Sequence, residues 1–190
     1  MGHSQAEKAQ NRERILAEAA RQIREGGLES VSVAQLMKSV DLTHGGFYGH
    51  FESRSELLSQ ALARALSEGK VAVRAANDLG EELDFSGMVG RYLSRSHRDS
   101  KRSGCAIAAL ATDVGRADTS AREAMEQRIE AFFDTAGNAL GQDDEDRAIF
   151  AVCAMVGGLT LARVMTDPGR SDAVLRAVRE QLLKLEAEAG

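Results

Sequence analysis

A single proline, Pro168, interrupts 190 residues, and tryptophan is absent. Proline ends or kinks helices because it lacks an N–H donor and its ring clashes with the preceding turn, so this chain is free to run long helices. Apolar residues recur at helical spacing in nearly every segment, with no convincing alternating strand pattern, and an all-α fold is expected. Ile15, Leu16, Ala19 and Ile23 mark one face of a first helix over about 7–25. Gly26-Gly27 closes it, since glycine readily takes the left-handed conformation of a helix C-cap.

Two S-x-x-[EQ] capping boxes follow. Ser32 with Gln35 predicts a helix over 33–40, and Ser53 with Glu56 predicts another running to about Ala76. Between them Asp41-Leu42 reads as a tight turn, and Thr43 as the N-cap of a short helix ending near Phe51. Two short helices joined by such a turn, flanked by longer ones, have the spacing of a helix-turn-helix. Further helices are expected near 85–98, 104–116, 120–140, 145–166 and 171–187.

The second short helix, inside LTHGGFYGHF at residues 42–51, has an unusual composition. Phe47 and Phe51 stand four apart on a face that must pack inward, while His44 and Tyr48 share a different one. Gly45, Gly46 and Gly49 each cost about 1 kcal/mol relative to alanine in a helix. That composition makes sense where something large, such as the edge of a DNA groove, must come close to the backbone. Glycine pairs also mark loops. Tyr48 and His50 are suitable hydrogen-bond donors to phosphate. Charge is distributed accordingly: residues 1–76 carry 10 Lys/Arg against 9 Asp/Glu, and residues 77–190 carry 14 against 20. The acidic excess lies entirely in the C-terminal part, which fits a DNA-facing N-terminal end.

Residues 12–60 closely resemble the N-terminal domain of the TetR/AcrR family of bacterial transcription regulators. The resemblance is carried by ILAEAARQIREGGLESVSVAQLMKSVDLTHGGFYGHFESRSELL, and FYGHFESRSELL is its most specific part. It implies a helix-turn-helix DNA-binding domain over 1–52, a connecting helix over 53–76, and a helical ligand-binding and dimerisation domain over 77–190. Position by position, it implies that Thr43, His44, Gly45 and Gly46 face the major groove of a double-stranded operator. Tyr48 and His50 would contact phosphates, Arg54 would stand where the family usually has a phosphate-holding lysine, and Ser32 would offer its amide and hydroxyl. One position departs from the pattern: Asp41 occupies the turn position usually held by glycine. Aspartate tolerates a left-handed conformation better than most residues, so the turn can survive.

The resemblance also implies a homodimer, formed through helices near 145–166 and 171–187. Apolar spacing alone suits equally a hairpin buried within one chain. Dimerisation would let two short helices read a palindrome. An effector pocket would lie among the middle helices, with Met88, Tyr92, Ile107, Leu110, Phe132, Phe133 and Phe150 as candidates, each of which would serve as well as ordinary core. Cys105 follows Arg95, His97, Arg98, Lys101 and Arg102 at a predicted helix start. Both surroundings favour a thiolate, so electrophile or oxidant sensing through Cys105 is the alternative to a ligand-responsive repressor. A small buried apolar residue is the plainer role for it.

Other functions lack their motifs. There is no G-x-S-x-G elbow, phosphate-cradling glycine loop or dinucleotide fingerprint, so no enzyme and no cofactor are expected. The four histidines are scattered, and none pairs with a second ligand at metal spacing. Two cysteines are too few for a disulfide framework. With no secretory signal and no run of about 18 uninterrupted apolar residues, a cytoplasmic protein is expected.

Overall fold

A computed structural model describes residues 5–74, 84–141 and 145–187. Among them there are nine α-helices, two short 3-10 helices and no strand. Helix α1 spans Gln5–Gly26 and buries the predicted stripe of Ile15, Leu16, Ala19 and Ile23. It ends where Gly27 turns to φ 88° and donates its N–H to the Ile23 carbonyl at 2.8 Å. A 3-10 turn, Leu28–Ser30, leads into α2, Val33–Ser39. Ser32 stands at the N-cap of α2, but its hydroxyl makes no capping bond, so the first predicted box is not formed.

The second box is formed, with a shift of one residue. Ser53 Oγ accepts from the Glu56 N–H at 3.1 Å, while Glu56 reaches back to the amide of Glu52 at 2.6 Å rather than to that of Ser53. It opens α3, Arg54–Arg74, whose Leu57, Ala61, Leu62, Ala65 and Leu66 are buried and which packs along α1. The predicted continuation of this helix to Ala76 and the boundary at 77 lie outside the described residues.

The helix expected over 85–98 is two helices, α4 at Phe85–Tyr92 and α5 at Arg95–Asp99. The break falls at Leu93-Ser94, because the Ser94 hydroxyl caps a new start by accepting from the His97 N–H at 3.1 Å. Helices α6 (Ala106–Val114), α7 (Thr119–Leu140), α8 (Glu145–Val164) and α9 (Pro168–Ala187) complete the bundle. Pro168 opens α9, where a missing N–H costs nothing. The preceding Asp167 accepts from the Arg170 N–H at 2.6 Å.

Helices α8 and α9 form a hairpin within the chain. A Cβ on Gly158 would come within 3.1 Å of Val178, and Ser171 Oγ donates to the Ala162 carbonyl at 2.7 Å. Among the described residues α8 is the one helix long and apolar enough by composition to cross a membrane; it lies against α7 as well as α9. A helix apolar all round needs cover on more than one side. Here Ala151, Val152, Met155 and Leu159 are buried, while Phe150, Leu161 and Val164 are exposed.

Candidate nucleic-acid interface and the core behind it

The turn between the two short helices is a Schellman motif. Leu42 N–H donates to Met37 O at 2.9 Å and Asp41 N–H to Lys38 O at 3.2 Å, with Asp41 left-handed at φ 58°. This is the conformation for which glycine is the usual residue. Arg14 helps hold it, donating to the Val40 carbonyl at 2.8 Å and standing 3.9 Å from the Asp41 carboxylate. That ion pair is exposed and contributes well under about 1 kcal/mol. Asp41→Gly is therefore expected to raise stability by about 0.5–1 kcal/mol by removing backbone strain. Urea denaturation of the two proteins would measure it, and a loss of stability would mean that the carboxylate matters more than the backbone.

The segment that follows is a 3-10 helix, His44–Gly49, rather than an α-helix. Phe47 and Phe51 point inward, stacked with ring centroids 5.6 Å apart. Arg12 clasps the far end from α1. Its guanidinium lies 4.8 Å from the Phe51 ring centroid, and it donates to the His50 carbonyl at 3.4 Å and to Gln60 at 2.7 Å. Thr43, His44, Gly45, Tyr48 and Gly49 are all exposed. A Cβ at Gly45 or Gly49 would meet nothing within 4 Å, and Tyr48 is 69% exposed. The inward aromatics thus fix a short helix whose other face is open, with a phenol, an imidazole and bare backbone on it. His50 and Gly46 are half-buried at its edge, and Ser32 is exposed at the start of α2.

Arg54, to which the resemblance gives a phosphate-holding role, stands at the start of α3. Its guanidinium turns back on the Leu28–Ser30 turn, donating to the carbonyls of Val31 at 3.2 Å and Glu29 at 3.4 Å and to the Glu29 carboxylate at 3.1 Å. These contacts tie the start of α3 to the α1–α2 connection.

Behind this surface, the C-terminal helices hold most of the candidate effector residues in one core. Met88, Tyr92, Cys105, Ile107, Leu110 and Phe132 are buried there, and Phe133 is half-buried. Phe150 is not with them; it is 56% exposed on the outer side of α8. An open trough of about 530 Å³ on α7, lined by Glu123, Glu126, Gln127, Glu130, Ala131 and Asp134, includes none of these residues. Three of the cations that precede Cys105 are engaged in ion pairs. Arg95 and Arg98 pair with Asp172, and Arg102 pairs with Glu18 and Glu25. The thiol itself is buried.

Besides the Arg102 ion pairs with α1, two contacts that sequence spacing did not reveal join the N-terminal helices to the C-terminal ones, and a third orders the C-terminal core. Arg24, buried on α1, donates to the Arg102 carbonyl at 2.7 Å and to Glu68 of α3 at 2.8 Å. Asp113, at the end of α6, accepts from the Leu28 N–H at 3.0 Å. His97 holds the start of α6: its Nδ1 donates to the Tyr92 carbonyl at 2.7 Å and its Nε2 accepts from the Cys105 N–H at 3.0 Å. Only the neutral ring can accept at Nε2 while donating from Nδ1, and burial lowers the His97 pKa.

A helix-turn-helix with an open reading face, carried on an all-helical body, defines a DNA-binding regulator. Residues 15–61 match the family of bacterial regulatory proteins, tetR family. The match places a tetR-family DNA-binding domain at this end of the chain, and the relatives it resembles along most of its length are transcriptional regulators. The chain is 29% identical over 186 residues to an uncharacterized HTH-type transcriptional regulator of Mycobacterium tuberculosis, covering 90% of this chain and 94% of the relative. Its fold is shared with a TetR transcriptional regulator from Chloroflexus aurantiacus at TM-score 0.77 and 20% identity, covering 94% of this chain and 96% of that one. AibR, solved in complex with isovaleryl coenzyme A and operator DNA, has the same fold at TM-score 0.65 and 14% identity, covering 90% and 97%.

Proposed function

We propose that this regulator is a cytoplasmic homodimeric repressor that binds a palindromic operator and leaves it when a small molecule binds its C-terminal helices. In this reading residues 1–52 bind DNA, 53–76 connect, and 77–190 bind effector and dimerise. The observation that carries it is the open face of His44–Gly49, held in place by Phe47 and Phe51 from behind. Thr43, His44, Gly45 and Gly46 would meet base edges, while Tyr48, His50 and the Ser32 hydroxyl would meet phosphates. Arg54 would join them at a phosphate, and its bond to the neighbouring Val31 carbonyl would also position Ser32. A repressor also needs a path for release, and one is available. The Tyr92 carbonyl is bonded through His97 to the start of α6, the loop before α6 is bonded to α1 through Arg24, and the end of α6 is bonded to the turn after α1 through Asp113. Movement of α6 would thus tilt the reading helices of a dimer out of register with successive grooves. Such coupling is reciprocal, so operator DNA must weaken effector binding by the same factor.

The experiment is selection of bound duplexes from a random pool, followed by titration of the selected DNA at two salt concentrations. Wild type is expected to select an inverted repeat and to bind it with a steep salt dependence. Tyr48→Ala should weaken that binding about tenfold or more, because a charge-directed hydrogen bond is worth about 1.5–3 kcal/mol. Selection of no sequence by the wild-type protein would overturn the reading.

A further inference from the structure

Tyr92 is 4% exposed, and its hydroxyl has no hydrogen-bond partner. A buried donor left unsatisfied costs folding free energy, and buried tyrosines usually find an acceptor. The surroundings are ordered but supply none. The His97 ring stands edge-on with its centroid 4.7 Å from that of Tyr92, and the Phe132 ring lies 5.5 Å away. The Cys105 thiol, a weak acceptor, interacts with the phenol but leaves its hydroxyl without a well-formed hydrogen bond.

The second observation is a half-buried cation on the segment that leads from Tyr92 to α6. Arg163 crosses from α8 over Gly104, where a Cβ would come within 2.8 Å of its Nη2. It donates to the carbonyls of His97 and Arg98, both at 3.1 Å. Among the described residues it has no carboxylate within ion-pair distance. Burial lowers its pKa, as expected for a cation held without a counter-ion. Arg128, also buried, is a second guanidinium whose field reaches the phenol.

An unsatisfied O–H, a desolvated cation and an aromatic wall together lack one component, an anionic acceptor on an apolar body. We propose that Tyr92 and Arg163 form the recognition site for the carboxylate of a small apolar acid. The phenol donates to one carboxylate oxygen, the guanidinium supplies opposite charge, and the tail packs towards Phe132. This inference rests on the ligand-responsive reading and adds the chemical class of the effector. It also places the ligand at the head of the connection that runs through His97 to α6.

The test uses the full chain and defined probes: hexanoate and benzoate, with hexanamide and benzamide as neutral counterparts, read by calorimetric titration and thermal melting. Wild type should bind the acids and not the amides. Tyr92→Phe should weaken acid binding roughly tenfold, the worth of one charge-assisted hydrogen bond. Without ligand, the same variant should melt higher than wild type, because the stranded hydroxyl is gone. Absence of acid binding by wild type, equal binding of amides, or a lower melting temperature for ligand-free Tyr92→Phe would each overturn the proposal. So would loss of acid binding in Cys105→Ala while Tyr92→Phe retains it, since the thiol would then be the recognising group. Operator titration of the same samples keeps the two readings apart. Acid binding by a protein that selects no DNA sequence would defeat the repressor and leave the carboxylate site standing.

Discussion

Phe47→Ala is expected to cost about 3–5 kcal/mol and to abolish sequence-selective DNA binding while the C-terminal helices stay folded. The reading segment has little stability of its own. It is a six-residue 3-10 helix containing three glycines, with no side-chain bond at its N-cap. Hydrogen-bond geometry in a 3-10 helix is poor, and each glycine carries a backbone-entropy penalty. Its position therefore depends on tertiary anchors, of which Phe47 is the central one. That ring is 1% exposed, stacks on Phe51 and meets Tyr48 edge-on at 5.2 Å. Removing it leaves a cavity beneath the exposed face and frees Tyr48 from its neighbour. Urea denaturation would give the stability loss, and amide hydrogen exchange should show faster exchange over residues 42–51 than over α6–α9. If the variant bound the selected operator as tightly as wild type, the anchoring argument would fail.

The sequence conveyed the parts of this fold that rest on local chemistry. The α1 stripe, the glycine exit, the Ser53 box and the inward Phe47–Phe51 pair all depend on residues within one or two turns of each other, and each was legible. So was Asp41, whose left-handed φ of 58° follows from its place in the turn. Two local readings failed, the first because a competing cap prevailed. The Ser94 hydroxyl divided the 85–98 segment, and the Ser32 side chain left its cap unmade. Long-range polar contacts were illegible for a different reason. Arg24 meets the Arg102 carbonyl across 78 positions, and Leu28 meets Asp113 across 85. No periodicity records such pairings, and an arginine destined for burial reads in sequence like any surface arginine. Arg54 shows the same limit within the motif itself. The family pattern indicated its position, but the acceptors its guanidinium chose lie 23 to 25 residues upstream.

The double variant Leu161→Glu, Val164→Glu is expected to be a folded monomer that has lost most of its operator affinity. In the single chain Leu161 is 55% and Val164 69% exposed, so neither glutamate needs to be buried and the helices should form as before. These residues continue a stripe along α8 that begins at Phe150 and passes exposed Cys153, an unobstructed Gly157 and exposed Thr160. An apolar stripe on an already packed helix calls for a partner. In the proposed homodimer a second copy of the same hairpin would supply one, because a two-fold interface sets a patch against itself. Glutamates placed there would face like charges as well as apolar surface, which penalises association twice. Separating the subunits removes the linkage between two reading helices, and linkage of this kind is worth roughly 10²–10⁴ in affinity. Sedimentation velocity should therefore give one chain per particle for the variant and two for wild type. Titration of the selected operator should show weakened binding, with a smaller salt slope because fewer phosphates are neutralised at once. If wild type sediments as a monomer, or the variant stays dimeric, the α8 stripe does not hold the subunits together and its cover must be sought on another surface.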